Sequence, residues 1–75
     1  MKVTILSPRE EVFAGEATSV FLPGDMSEFE ILDHHAPIIS LLRGGEVIID
    51  WERKIPITKG IVKFDRGECM ILIEE

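Results

Sequence analysis

Residues 61–73 have the sequence IVKFDRGECMILI, which indicates the fold class more strongly than any other part of the chain. Two apolar segments, 61–64 and 68–73, flank the polar tripeptide Asp65-Arg66-Gly67. A short polar connection that contains glycine is a strong signal for a β-hairpin. The second segment is apolar at consecutive positions, as is typical of a strand that is covered on both faces. We therefore predict a hairpin whose second strand is covered on each side.

The rest of the chain repeats this pattern of short apolar segments separated by turn residues, and helical periodicity is almost absent. Residues 46–51 (EVIIDW) are predicted to pair with residues 54–58 (KIPIT) across Glu52-Arg53. Pro56 has no N–H to donate, so its strand is expected at a sheet edge or bulge. About eight to ten short strands predict an all-β fold, a small β-sandwich or flattened barrel, in a single domain over residues 1–75.

Composition argues against several classes of function. The net charge is −6, and the eight basic residues are scattered, which disfavours binding to nucleic acid or to acidic lipid. The single cysteine, Cys69, cannot form an internal disulfide and is expected to be a buried apolar residue in a reducing compartment. No apolar run approaches the ~20 residues of a membrane span. We expect a soluble protein without a cofactor.

The segment from Gly24 to Pro37, GDMSEFEILDHHAP, is the candidate functional region. In an extended strand, Glu28 and Glu30 project from one face while Phe29 and Ile31 project from the other. The carboxylates fit either an ordinary solvated face or an acidic docking surface for a basic loop.

Asp33-His34-His35 raises the possibility of a metal site. Adjacent side chains of an extended segment point in opposite directions, so His34 and His35 would rarely bind one ion. No third ligand follows at a recognised spacing. No serine lies in a sequence that resembles a nucleophile elbow. The residues therefore favour binding over catalysis.

Two apolar features leave alternatives open. Residues 38–42 (IISLL) fit a strand covered on both sides, or a strand with one side left for a partner. Trp51 fits a core anchor or an interface anchor, and we expect it in the core. A domain of this size buries only about 60% of the surface of its unfolded chain. A partner that covers apolar surface would therefore stabilise it.

The segment 24–37 resembles the glycine, glutamate and histidine-alanine-proline signature of the ε subunit of F-type ATP synthases, in which Glu28 matches the glutamate and His35 the histidine. Four further segments match the same family in register: 6–8, 12–15, 58–62 and 66–68. Ser27, Glu30 and His34 depart from the family, which often has glycine or another small residue there, and a stiffer docking loop is expected. The family's two C-terminal helices are also expected to be absent, because the sequence stops straight after the last predicted strand.

This resemblance implies a non-catalytic central-stalk subunit that links the γ subunit to the c-ring and couples proton-driven rotation to ATP synthesis. Its expected place is the cytoplasmic side of the inner membrane, attached only through the complex. The resemblance assigns contacts with the polar loops of the c-ring to Glu28, Phe29, Glu30 and Ile31, and contacts with γ to Ser7, His35 and Ser40. Two alternatives remain open: a small metal-dependent β-barrel enzyme that uses His34 and His35, and a β adaptor unrelated to ATP synthase.

Overall fold

The computed structural model of the protein describes residues 1–74, which form nine β-strands and contain no helix. The strands are β1 (Lys2–Leu6), β2 (Glu11–Glu16), β3 (Ser19–Leu22), β4 (Phe29–Leu32), β5 (Ile38–Leu42), β6 (Gly45–Ile49), β7 (Arg53–Ile57), β8 (Lys59–Asp65) and β9 (Glu68–Glu74). The predicted all-β class is confirmed. No helix of membrane-spanning length and apolarity occurs in these residues.

The strands form two sheets that pack as a sandwich. One sheet has five strands in the order β2-β1-β9-β8-β5, and the other has four in the order β4-β3-β6-β7. Strands β1 and β9 pair in parallel, and the remaining pairs are antiparallel. The core lies between the sheets and is built from Val, Ile, Leu and Phe side chains, with Val3, Ile5, Val20, Ile31, Val47, Val62 and Ile71 among its fully buried members.

The predicted hairpin at residues 61–73 is confirmed as β8 and β9. Asp65 pairs with Glu68, so only Arg66 and Gly67 form the connection. Both have a left-handed backbone, with φ of 51° and 77°. Two consecutive residues of this kind match the right-handed twist of the strands in a type I′ turn, and glycine adopts that conformation without steric cost.

Strand β9 is covered on one face only, so the prediction of cover on both faces was wrong. Cys69, Ile71 and Ile73 are buried, whereas Met70 and Leu72 are 41% and 48% exposed. Alternate side chains of a strand point to opposite sides of its sheet. The second sheet covers the inner side, and no element among residues 1–74 covers the outer side.

The hairpin of β6 and β7 also differs from its prediction. Its turn comprises residues 50–52, so Trp51 lies in the turn and not in a strand. Asp50 and Trp51 both have positive φ, at 52° and 57°, which ends the first strand at Ile49. The edge position predicted for the proline strand is confirmed, because Pro56 lies in β7 at the end of the four-stranded sheet.

One pair of neighbouring substitutions tests the one-sided burial of β9. Ile71→Ala leaves a cavity in the core and should lower the free energy of unfolding by about 2–5 kcal/mol. Leu72→Ala removes a side chain of similar size from the exposed face and should change it by about 0.5 kcal/mol or less. Urea denaturation followed by far-UV circular dichroism measures both. Equal losses for the two variants would contradict the assignment of Leu72 to the outer face.

Candidate functional site

The loop before β4 projects from the sandwich and is anchored at Gly24. Gly24 is buried and bridges to Leu42 at the end of β5. A Cβ on Gly24 would lie 2.3 Å from the carbonyl oxygen of Ser27, so no other residue fits without a backbone shift. Residues 25–28 are exposed, and the Asp25 N–H donates to the carbonyl oxygen of Leu41 (2.9 Å). The loop therefore presents Glu28 to solvent from a fixed base.

Strand β4 divides the predicted c-ring residues between its two faces. Ile31 pairs with Val20 and is 0% exposed, so its side chain belongs to the core. Its predicted contact with the c-ring was therefore wrong. Phe29 is half-buried and packs against the core. Glu30 pairs with Phe21 on the outer face of the four-stranded sheet. The alternation was predicted correctly, and it places the apolar members inside.

Trp51 lies on this same outer face, and its predicted place in the core was wrong. The residue is 58% exposed. Its indole Nε1–H donates to Glu30 Oε2 (2.9 Å), and its ring centroid lies 5.3 Å from that of Phe21. The two predicted carboxylates therefore differ, because Glu30 is held by an indole whereas Glu28 has no hydrogen-bond or ion-pair partner within residues 1–74.

Asp50 fixes the turn that carries Trp51. Its carboxylate oxygen Oδ1 accepts hydrogen bonds from Thr18 N–H (2.8 Å), Thr18 Oγ1–H (2.9 Å) and Ser19 N–H (3.0 Å). Its own N–H donates to the carbonyl oxygen of Ser19 (2.9 Å). The hydrogen bonds from the Thr18 and Ser19 backbone, followed by that from the Thr18 hydroxyl, lower the pKa of Asp50 from its usual 3.8 because they stabilise the ionised form.

The His-Ala-Pro corner has no arrangement that fits a metal ion. His34 is exposed with φ of 71°, and His35 packs edge-on against Phe64 at 6.0 Å between ring centroids. The Nδ1–H of His35 donates to the carbonyl oxygen of Ala36 (2.6 Å). Asp33 accepts a hydrogen bond from the Met1 ammonium (2.6 Å), which raises the pKa of that ammonium. Within residues 1–74, no three His, Cys, Asp or Glu side chains lie close enough to hold an ion.

The three predicted γ-facing residues do not form one patch. The Ser7 hydroxyl closes the turn between β1 and β2, where it accepts from Arg9 N–H (3.3 Å) and Glu10 N–H (3.2 Å). His35 lies near Phe64. Phe64 aligns with Cys69 and Val3, at the end of the five-stranded sheet that is farther from Ser7. Ser40 is half-buried and paired with Val62 of the core-facing row. Their assignment to γ stays a prediction.

Five of the eight large exposed apolar side chains in residues 1–74 lie on the outer side of β5, β8 and β9, which we call the apolar face. It consists of Ile39, Leu41, Ile61, Met70 and Leu72. Strand register aligns Leu41, Ile61 and Leu72 in one row, and Leu6 of β1 continues it. An open groove of about 560 Å³ lies at one end of this face and is lined in part by the three aligned side chains. For residues 38–42, the structure therefore supports a strand with one side left uncovered within residues 1–74.

Sequence reasoning singled out Ser40 and did not identify its neighbours Ile39 and Leu41 as surface residues. The available signal was the density of apolar residues in 38–42 and 69–73, which exceeds what a one-sided core can accept. Cys69 was predicted correctly as a buried apolar residue, and burial raises the pKa of its thiol to about 11. The thiol is therefore protonated at neutral pH and is a poor nucleophile.

A sequence-family model described as "ATP synthase, Delta/Epsilon chain, beta-sandwich domain" matches residues 1–75. The chain belongs to this family. The predicted resemblance is thereby confirmed, and the metalloenzyme and the unrelated adaptor are not favoured.

Curated relatives agree with the family model. The chain is 37% identical to the ATP synthase epsilon chain of Sulfurimonas denitrificans and 36% identical to that of Campylobacter curvus, each over 99% of its length. It is 37% identical to that of Bordetella petrii. The chain spans 60% of the first two relatives and 55% of the third.

Solved structures match the fold of this β-sandwich domain. A chain in the cryo-EM structure of the Tetrahymena thermophila mitochondrial ATP synthase central stalk and c-ring superposes with a TM-score of 0.83 at 15% identity, over 99% of this chain and 63% of that one. A chain in the Euglena gracilis mitochondrial ATP synthase structure gives 0.85 at 19% identity, over 97% and 49%. At these identities the likeness concerns the fold alone.

The hydrogen bonds of Asp50 predict a pH-dependent stability. Asp50→Asn should be less stable than the natural chain at neutral pH, because a neutral amide accepts the three hydrogen bonds less strongly. The folded pKa of Asp50 lies below 3.8. Its contribution is therefore complete above that pH and is lost as the pH falls through the folded pKa. The difference between the two proteins should shrink in acid.

Urea denaturation at a series of pH values, followed by far-UV circular dichroism, measures this difference. Glu68→Gln is the control, because it removes an exposed carboxylate that accepts no side-chain hydrogen bond within residues 1–74. A difference between Asp50→Asn and the natural chain that stays constant into acid would contradict the role given to the charge.

Proposed function

We propose that this chain is the β-sandwich part of a non-catalytic central-stalk subunit of an F-type ATP synthase. In this role it binds the γ subunit with one surface and the polar loops of the c-ring with another, so that ring rotation reaches the catalytic head. It is held at the cytoplasmic face of the membrane only through the complex. Membership of the delta/epsilon β-sandwich family supports this proposal.

The observation that carries the proposal is the presence of two different surfaces on opposite sides of one sandwich. The apolar face lies outside the five-stranded sheet, whereas Glu30 lies outside the four-stranded sheet and Glu28 immediately precedes its strand. An enzyme needs groups that converge on one cleft. A linking subunit needs two separate contact surfaces on a stiff body, and the two unlike surfaces of this sandwich support such a role.

The γ subunit is proposed to cover the apolar face. Fully burying one exposed large apolar side chain contributes about 1.5–3 kcal/mol. The five side chains of this face are 36–66% exposed, so each would contribute a part of that range. Ser7 lies at the border of this face, because it directly follows Leu6, which pairs with Leu72. Ser40 lies in β5 between Ile39 and Leu41. Ser7 is compatible with the proposal, whereas Ser40 pairs with Val62 of the core-facing row and points away from this face, and His35 would touch γ only at the far end of the sheet.

The c-ring is proposed to contact Glu28. The side chain is exposed, and no ion-pair partner occupies it in residues 1–74. A basic side chain on a ring loop would form a charge-assisted hydrogen bond with this carboxylate. Such a contact at the edge of an interface acts mainly on partner choice and association rate.

Reciprocal substitutions test the two assignments. Glu28→Lys replaces attraction with repulsion and should weaken binding to purified c-ring about tenfold or more, with γ binding unchanged. Leu41→Asp places a charge at the centre of the apolar face and should weaken γ binding by a similar factor, with ring binding unchanged. Surface plasmon resonance with each partner measures both affinities.

Glu68→Lys is the matched charge control for the ring experiment, since Glu68 lies on the other sheet. Circular dichroism verifies that each variant is folded. A Glu28→Lys variant that binds the ring as tightly as the Glu68→Lys control would refute the ring contact. Failure of the natural chain to bind either partner would refute the stalk function itself.

A further inference from the structure

The single tryptophan of the chain is exposed beside the surface proposed for the c-ring. Trp51 donates its indole hydrogen to Glu30 Oε2 (2.9 Å) and packs on Phe21, yet 58% of its surface remains accessible. We propose that Trp51 and Glu30 form a binding site for one basic side chain, arginine or lysine, of the c-ring loop. This inference rests on the proposed function and adds a second contact to that of Glu28.

The chemistry of the two groups favours a cation. The indole ring is the best cation-π acceptor among side chains, and a carboxylate beside it attracts the same charge. The second oxygen of Glu30 accepts no hydrogen bond from residues 1–74 and is therefore available to a ligand. An arginine that stacks on the indole could donate to this oxygen at the same time.

Charges around the site leave it acidic. Glu28 lies in the loop before β4 and lines an open pocket with Phe21 on the outer side of the four-stranded sheet. Neither Glu28 nor Glu30 has an ion-pair partner within residues 1–74. Arg53 follows the turn but lies over the Phe13 ring (5.4 Å), on the side of the other sheet. Lys54 pairs with Ile48 and therefore lies on the same outer face as Glu30, without an ion pair in the described part of the chain. Three carboxylates, those of Glu28, Glu30 and Glu46, thus outnumber the two basic side chains, Lys54 and Arg43, on this side of the sheet.

The site is also held in place before any partner arrives. The left-handed backbone at Trp51 is unusual for a bulky residue, and the Asp50 hydrogen bonds to Thr18 and Ser19 maintain it. The indole hydrogen bond in turn restricts the Glu30 side chain. A group that is ordered in the free protein loses less conformational entropy on binding.

Fluorescence provides a direct test, because the chain has one tryptophan and no tyrosine. The full chain is titrated with detergent-solubilised c-ring, and ring binding is measured in parallel by surface plasmon resonance. We expect the Trp51 emission to change in step with binding, and acrylamide quenching of that emission to fall in the complex. Neither readout requires a variant.

Two substitutions then test the groups themselves. Glu30→Gln and Trp51→Phe should each weaken ring binding about three- to thirtyfold, the range that a cation-π contact supplies. Both should bind γ as the natural chain does, since the apolar face lies on the other sheet. Glu68→Gln is the control for ring binding, because Glu68 lies on the other sheet, and it should leave the ring affinity unchanged.

The outcomes separate this inference from the proposed function. Ring binding that depends on Glu28 but leaves Trp51 emission and quenching unchanged would overturn the inference and leave the stalk function standing. Absence of ring binding by the natural chain would overturn both. If a variant also lost γ binding, the substitution would have disturbed the fold and could not test the site. The acrylamide quenching of the natural chain would then decide whether Trp51 contacts the ring.

Discussion

The packing of one face of each sheet against the other is the interaction on which the rest of the structure depends. Strand β9 buries alternate side chains, with Cys69, Ile71 and Ile73 inside and Met70 and Leu72 outside. A sandwich of two layers has no third layer to cover such residues. The apolar face is thus a direct consequence of an apolar content larger than one core can accept, and a partner must cover it if it is to be buried.

Turns and strand edges could be predicted from the sequence, but which side chains are covered by distant parts of the chain could not. The hairpin of residues 61–73 and the edge position of Pro56 follow from backbone preferences that a few residues determine, and both were predicted correctly. The predicted connection was one residue too long, because Asp65 belongs to the strand. Whether an apolar side chain has a neighbour depends on the other sheet. Leu72 and Trp51 were therefore misplaced, because nothing in their own segments distinguishes a covered face from an open one. For the same reason Ile31 was assigned to a surface although it is fully buried.

The departures from the family pattern have structural explanations at two positions. His34 stands where the family often has glycine or a small residue, and its φ of 71° is the conformation that glycine adopts without strain. Glu30 also replaces a small residue, and its carboxylate accepts the Trp51 indole hydrogen. A longer side chain at this position is thus accompanied by a specific partner on the adjacent turn, which favours the expectation of a stiffer loop.

Transmission of torque requires a mechanical connection between the two proposed surfaces, and the backbone provides one. Gly24, at the base of the loop that carries Glu28, bridges to Leu42 in β5. Two further backbone hydrogen bonds, from Asp25 to Leu41 (2.9 Å) and from Arg43 to Pro23 (2.9 Å), join the same segments. Strand β5 also carries Ile39 and Leu41 of the apolar face. Under the proposed function, a load on the acidic loop would pass through these backbone hydrogen bonds into the strand proposed to contact γ. The close approach at this junction excludes a Cβ, so glycine at position 24 is a requirement of the connection itself.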